Sequence, residues 1–93
     1  MPEIELSKPI EQNGEEKSTI NLDLDGLTGN DLTQAEAEHS VTTGGLSGVP
    51  ELSKSYLAHV AARAASLPVD DIKQLSAKDF SRVTMEVQNF LLG

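Results

Sequence analysis

Residues 3–25, EIELSKPIEQNGEEKSTINLDLD, decide the fold, because they hold two runs in which apolar and polar residues alternate. Such alternation is typical of β-strands that have one face buried and one face in water. The apolar positions of the two runs are Ile4, Leu6, Ile10, Ile20, Leu22 and Leu24. The Asn13-Gly14 pair between the runs is a turn signal, so this stretch predicts a β-hairpin.

The length of the turn sets the register of this hairpin. A two-residue turn would pair Ile10 with Lys17 and would place even-numbered residues opposite odd-numbered ones. A three-residue turn, residues 12–14, would pair Leu6 with Ile20. Only an odd turn length places both apolar sets on one face, and we therefore predict the three-residue turn.

Oxygen-bearing side chains at alternate positions of residues 21–25 also resemble the start of an EF-hand calcium loop. A loop that starts at Asn21 needs a bidentate glutamate at its twelfth position, and Leu32 stands there. A strand explains the alternation better, because it turns Leu22 and Leu24 to the core and the polar side chains to water. We predict no metal site and no cofactor.

Helical periodicity follows the hairpin. We predict a helix over residues 28–41, a flexible Gly/Ser/Thr-rich loop over 42–50 and a helical part over 52–92. The fold class is therefore α+β: a small single domain, residues 1–93, with an N-terminal β-hairpin over 3–25 followed by three to four α-helices.

Local signals mark where these helices begin. Thr28 and Ser76 are each followed three residues later by an aspartate, in the manner of a capping box. Asp70 and Asp71 suit the first turn of a short helix behind Pro68, where the helix dipole favours negative charge. Adjacent helical positions point about 100° apart, so these two carboxylates do not form one acid–base site.

Apolar residues at helical spacing are candidates for the core and for a partner-binding surface. Two stripes and the end of the chain supply them: Tyr56, Leu57, Val60, Phe80, Val83, Val87, Phe90, Leu91 and Leu92. The stripes would line a groove for a partner helix or form the core beneath it. Residues 90–92 would dock on the body, contact another chain or lead into a longer product, because chain ends usually carry polar residues.

Composition excludes several functions. The chain has 15 Asp and Glu against 7 Lys and Arg, with ten acids and two bases in residues 1–45 and five of each in residues 46–93. This acidity argues against binding to nucleic acid or to anionic membranes. His39 and His59 fall on different predicted helices, His59 at a partly solvated border, and no catalytic spacing surrounds them. We expect a soluble intracellular protein that is not an enzyme.

Three stretches resemble the small tail assembly chaperones of long-tailed bacteriophages, which are encoded just upstream of the tape measure protein in phages of the contractile-tailed kind. The stretches are LDGLTGNDL at residues 24–32, YLAHVAARA at 56–64, and LSAKDFSRV with VQNFLLG at 75–93. The likeness spans roughly residues 4–93 and depends on the order and spacing of all three stretches.

The resemblance implies a non-enzymatic protein that binds the long, largely helical tape measure protein. Such chaperones keep that partner soluble, help tail tube subunits polymerise around it, act in the cytoplasm of the bacterial host and are absent from the mature virion. Many are also made in a longer form by programmed ribosomal frameshifting, in which case residues 90–92 would lead into an extension.

Two other classes of function remain open. In the first, the protein is a structural tail or baseplate component that stays in the virion. In the second, it is a small acidic mimic whose negative face occupies a basic site. Leu32, Ala35 and His39 form a third stripe on the first predicted helix. Self-association is expected in addition, since three apolar stripes exceed what a small monomer easily covers.

Overall fold

The fold is a β-hairpin followed by helices, as a computed structural model shows for residues 3–12, 14–43 and 54–93, with the side chains of residues 39–43 left aside. Its elements are β1 (Glu3–Gln12), β2 (Glu15–Asn21), α1 (Gly29–Thr43), α2 (Lys54–Ala65), α3 (Val69–Lys73) and α4 (Ala77–Leu92). The two strands form one antiparallel sheet. The predicted α+β class, with the hairpin first and the helices after it in one small domain, is confirmed.

The helix bounds differ slightly from the predicted ones. α1 begins at Gly29 and ends at Thr43, two residues beyond the predicted span of 28–41. Residues 44–50 of the predicted loop lie outside the described residues, and so does the side chain of His39. The predicted helical part contains α2, α3 and α4.

α2 lies at the centre of the fold and contacts α1, α3, α4 and β2. Eight of its twelve residues are buried, and four of these eight are alanines. A helix that is buried nearly all round needs apolar residues on several faces, and alanine provides them without keeping neighbouring elements at a distance. The chain that leaves β2 approaches so closely that the N–H of Asp23 donates to the carbonyl oxygen of Ala64 at 3.0 Å.

The alternating residues of the hairpin form one wall of the core. All six apolar positions of residues 3–25 are buried, with 9% or less of their surface exposed. Asn21, Asp23 and Asp25 are exposed. β2 ends at Asn21, so the hairpin is four residues shorter than the predicted 3–25, and Leu22 and Leu24 reach the core from the segment after the strand. The predicted core face of the hairpin is confirmed.

The register predicted for the hairpin is wrong. Gln12 pairs with Glu15, which leaves two residues for the turn, and Gly14 has a positive φ of 79°. Asn-Gly favours two-residue turns with positive φ, and this local preference prevails over the parity argument. At the open end of the hairpin, Ile4 pairs with Ile20. The predicted three-residue turn would have paired Leu6 with Ile20.

An irregularity in β1 reconciles the short turn with one apolar face. Between the pairs Glu5–Thr19 and Ile10–Lys17, residues 6–9 of β1 lie opposite Ser18 alone. β1 therefore contains three extra residues, and an odd number of them reverses the parity of the pairing. Such bulges remove ladder hydrogen bonds and re-aim the backbone, so residues 6–9 need other partners.

Asp79 of α4 supplies these partners. Its side chain is fully buried, and its two carboxylate oxygens accept hydrogen bonds from the backbone N–H of Ser7 at 3.0 and 2.9 Å. The N–H of Lys8 donates to Oδ2 at 3.2 Å, and the hydroxyl of Ser7 donates to Oδ1 at 3.1 Å. One carboxylate therefore satisfies the bulged part of β1 and joins it to the first turn of α4.

Two further contacts hold this junction. Ser76 is the N-cap of α4 and accepts from the N–H of Asp79 at 3.2 Å, as the capping-box pattern predicts. Arg82, one turn further on, donates to the carbonyl oxygen of Glu5 at 2.7 Å and lies 3.6 Å from Oδ1 of Asp79. The carboxylate is thus held among donors from both β1 and α4.

The charge of Asp79 is favoured by this site. Burial raises the pKa of its carboxyl group, but the N–H groups of Ser7 and Lys8, with the hydroxyls of Ser76 and Ser7, outweigh burial, and the pKa is lowered. The group therefore stabilises the fold fully above its unfolded pKa of about 3.9. That contribution is lost as the pH falls through the lower pKa of the folded state.

Replacing Asp79 by asparagine keeps the shape of the side chain, removes its charge and turns an NH2 group towards the backbone N–H donors. We expect the free energy of unfolding at pH 7 to fall by about 2–4 kcal/mol, because at least one buried donor loses its acceptor. The decrease in stability below about pH 4 should also be smaller in Asp79→Asn than in the wild type. Urea denaturation followed by circular dichroism, repeated across this pH range, measures both effects.

Glu86→Gln is the matched control, since Glu86 is exposed on the same helix. It should change the free energy of unfolding by about 0.5 kcal/mol or less. Equal urea midpoints for the wild type and Asp79→Asn at pH 7 would contradict the role given to Asp79.

The end of α2 is closed by a Schellman motif. The N–H of Leu67 donates to the carbonyl oxygen of Ala62 at 2.9 Å, and the N–H of Ser66 to that of Arg63 at 3.2 Å. Ser66 occupies the left-handed position of this motif, with φ 57°, which glycine usually takes. A serine there carries a steric cost of about 1–2 kcal/mol.

Ser66→Gly should therefore raise the free energy of unfolding by about 0.5–1 kcal/mol, because relief of that cost exceeds the added entropy of glycine in the unfolded chain. A thermal melt should show the midpoint rising by several degrees. Ser66→Ala keeps the Cβ and should give no such rise. A lower midpoint for Ser66→Gly would show that the left-handed conformation is not strained.

Candidate partner-binding surfaces

The nine residues predicted to bind a partner divide into a buried and an accessible group. Five are core residues with 4% or less of their surface exposed, namely Tyr56, Leu57, Val60, Val83 and Val87. They belong to α2 and α4, which pack against each other. The stripes allowed either a groove for a partner helix or the core beneath it, and these five side chains lie in the core. They are not accessible to a partner in this conformation.

The accessible group lies along α4. Phe80 and Leu91 are half-buried against the core, whereas Phe90 is 43% and Leu92 60% exposed. Met85, which the sequence analysis missed, is 59% exposed. Met85 and Leu92 are seven residues apart, about two helical turns, so both lie on the outward face of α4. Phe90, five residues from Met85, points about 140° away from it around the helix and lies on another side of α4. The exposed side chains Met85 and Leu92 are called the α4 patch below.

A second candidate surface is a groove of about 520 Å³ where α1, α2 and the segment between α2 and α3 meet. Its floor is apolar and consists of Ala62, Leu67, Pro68 and Val69. Glu38, His59 and Arg63 line its polar side. None of these residues belongs to the predicted set. His59, Ala62 and Arg63 share helical spacing on α2, but the predicted set held only large apolar residues, and the rest of the lining comes from other parts of the chain. This surface is called the α1–α3 groove below.

Arg63 organises the polar side of the groove. Its guanidinium donates to Oε1 of Gln34 at 2.6 Å and lies 3.4 Å from Oδ1 of Asp31 and 3.8 Å from Oε1 of Glu38. All three partners are on α1, so this one side chain of α2 fixes α1 beside it. The sequence signal for this role was the lone charge in the apolar run of α2.

Asp31 also caps α1. The N–H of Thr28 donates to Oδ2 of Asp31 at 3.0 Å, and the N–H of Asp31 donates to the hydroxyl of Thr28 at 3.2 Å, so the predicted capping box is confirmed. The N–H of Thr28 lowers the pKa of Asp31, burial opposes it, and the hydroxyl of Thr28 and the charge of Arg63 lower it further. The net shift is downward, so Asp31 is charged at neutral pH.

The prediction that His59 lies at a partly solvated border is wrong. It is 5% exposed, and its Nδ1 lies 3.7 Å from Oε1 of Glu38. The reason is that α1 packs over this side of α2, which the periodicity of α2 alone could not indicate. In residues 3–12, 14–43 and 54–93, no group of three or more His, Asp or Glu side chains is arranged to hold a metal ion.

The hairpin, the central α2 and the capped α4 all fall within one family match. Residues 3–92 match the family described as "Phage tail assembly chaperone proteins, E, or 41 or 14". The chain belongs to this family. A tail assembly chaperone has protein partners from the phage tail. No curated protein and no solved structure matches the chain significantly.

None of the helices in residues 14–43 and 54–93 is both long enough and apolar enough to cross a bilayer.

The division into core and patch is tested by the same substitution at two positions of α4. Leu92→Lys should change the free energy of unfolding by less than about 1 kcal/mol, because the side chain is already in water and a cation suits the end of a helix. Val87→Lys places a charge where no surface is exposed and should cost more than about 4 kcal/mol. Urea denaturation measures the free energy of unfolding of both variants. Similar decreases in the two variants would show that Leu92 is covered in solution.

Proposed function

We propose that this protein binds the tape measure protein of its phage, keeps it soluble and promotes tail tube assembly around it, without catalysing a reaction. The observation that carries the proposal is the family match over residues 3–92, which includes the hairpin and all four described helices. The proposed binding is between folded surfaces of this chain and helical segments of the partner.

The physical basis of this function is that binding removes apolar surface of the tape measure protein from water. A long helical protein that waits for its tube exposes apolar faces, and large exposed faces of this kind associate with one another. The α4 patch presents two large apolar side chains that can lie against such a face. Each contact removes apolar area from water and thereby competes with aggregation of the partner.

The charge of the chain supports the second part of the role. The net charge is −8, and the exposed residues of β2 include Glu15 and Glu16. A complex that carries this excess of negative charge repels its own copies and stays dispersed. The acidic hairpin therefore serves solubility, while the helical part serves binding.

We further propose where the protein acts, what else it binds and in which forms it is made. The protein acts in the cytoplasm of the bacterial host and is absent from the mature virion, and it also associates with itself and with the tail tube protein. A longer form made by ribosomal frameshifting would continue from α4. A slippery heptamer and an overlapping reading frame in the gene would support that form, and the lack of both would remove it.

Co-expression with the tape measure protein tests the central claim. We expect the partner to move from the insoluble to the soluble fraction and to co-purify with the tagged chaperone. Leu92→Lys serves as the surface variant and should reduce the amount of co-purified partner, whereas Thr33→Lys, which adds the same charge at an exposed position of α1, should leave it unchanged. A tape measure protein that stays insoluble and unbound, with the 93-residue chain and with any longer form, would contradict the proposal.

Mass spectrometry of purified particles separates the chaperone from a structural tail or baseplate component. A chaperone is missing from the particles, and a structural component is present in them.

A further inference from the structure

The α1–α3 groove has the size and the lining of a binding site. Its volume of about 520 Å³ lies within the range of roughly 300–1,000 Å³ that is usual for ligand pockets. Leu67 and Val69 are half-buried and Pro68 is exposed, so part of the apolar floor is in contact with water. Two or three apolar side chains of a partner would cover that floor.

The groove is already formed in the free chain. The Schellman motif fixes Leu67 at one end, and Pro68 is the N-cap of α3 beside it. The contacts of Arg63 with Asp31 and Glu38 hold α1 against α2 on the other side. A preformed site binds without first ordering its own residues, which lowers the cost of association.

The backbone of the groove favours recognition through side chains. The carbonyl groups of Ala62 and Arg63 already accept hydrogen bonds from Leu67 and Ser66. An extended peptide that adds to a sheet needs a free backbone edge, and these two carbonyls do not provide one. A helix satisfies its own backbone and presents only side chains, so it is the form of partner that this surface fits.

The charges around the groove select the partner further. α1 contributes Asp31 and Glu38, which face α2, and contains no Lys or Arg. α3 adds Asp70 and Asp71 against Lys73. The cation that lines the groove, Arg63, lies beside two of these carboxylates, so the surroundings keep an excess of negative charge.

We infer that the α1–α3 groove binds an amphipathic helix of the tape measure protein, with large aliphatic or aromatic side chains on the apolar floor and Lys or Arg at its flanks. This inference rests on the proposed function and names the site and the chemistry of the segment it recognises. It differs from the use of the α4 patch, which is built from other residues and lacks the acidic surroundings of α1 and α3.

The absence of cysteine from the chain makes a sharp test feasible. Ser66→Cys places a single thiol at the exposed rim of the groove, and Ser18→Cys places one at an exposed position of β2 that lines neither candidate surface. Overlapping peptides that tile the tape measure protein are the probes, and fluorescence anisotropy measures their binding to the full chain before and after the thiol reacts with a bulky maleimide. We expect the label at position 66 to weaken binding about tenfold or more and the label at position 18 to have little effect.

Charge variants test the chemistry of the partner. Asp70→Lys should weaken binding several-fold, whereas Glu16→Lys at an exposed position of β2 should not, and added salt should weaken binding to the wild type. The peptides that bind best should combine an apolar helical face with flanking Lys or Arg. Equal binding of neutral or acidic peptides would overturn the inference.

The remaining outcomes separate the inference from the function on which it rests. If the wild type binds the peptides or the whole partner, and the label at position 66 changes nothing, the groove is not the site, while the function stands. If neither the peptides nor the whole tape measure protein binds, the proposed function fails and the inference fails with it. If the label instead abolishes self-association of the chain in sedimentation, a second copy occupies the groove, and the inference is wrong.

Discussion

The carboxylate of Asp79 is the constraint on which the rest of this fold depends. A two-residue turn and a single apolar face are incompatible in a regular hairpin, and the bulge at residues 6–9 reconciles them. The bulge in turn leaves backbone donors without partners in β2. A buried carboxylate can satisfy several such donors at once, and it does so here from the first turn of α4, where the helix dipole also favours its charge.

This junction sets the position of the helical part relative to the sheet. α4 is held to β1 by Asp79 and Arg82, and α2 is held to the chain after β2 by the bond between Asp23 and Ala64. The alanine-rich α2 then fits between the hairpin and the other helices. The accessible surfaces follow from this arrangement, because α2 and α4 use their apolar stripes on each other and leave the outward side of α4 and the α1–α3 groove open.

Local patterns in the sequence were enough for the elements and for the buried face of the hairpin. Alternation predicts Ile4, Ile20 and the other core positions correctly, since it reflects only which side of a strand is in water. The alternation could not predict the register of the hairpin, because the bulge depends on a contact between Ser7 and Asp79, 72 residues apart in the chain. The capping pattern at Ser76 did locate Asp79, but it gave no sign that the carboxylate leaves its own helix.

The candidate surfaces were less predictable for the same reason. A helical stripe looks alike whether another helix of the same chain or of a partner covers it, so Val83 and Val87 could not be assigned to the core from periodicity. Met85 interrupts an otherwise polar face and was overlooked as a single residue. The groove requires α1, α2 and the start of α3 to meet, and only Arg63, a charge within an apolar run, hinted at that meeting.

The separation of Ser7 and Asp79 along the chain has a consequence for the order of events during synthesis. The hairpin leaves the ribosome first, but the acceptor for its bulged backbone is in the last helix. Until α4 has emerged, the nascent chain carries a two-stranded sheet that is marginal by itself. The domain therefore closes only after α4 has emerged, and β1 and α4 become rigid together although 72 residues separate Ser7 from Asp79.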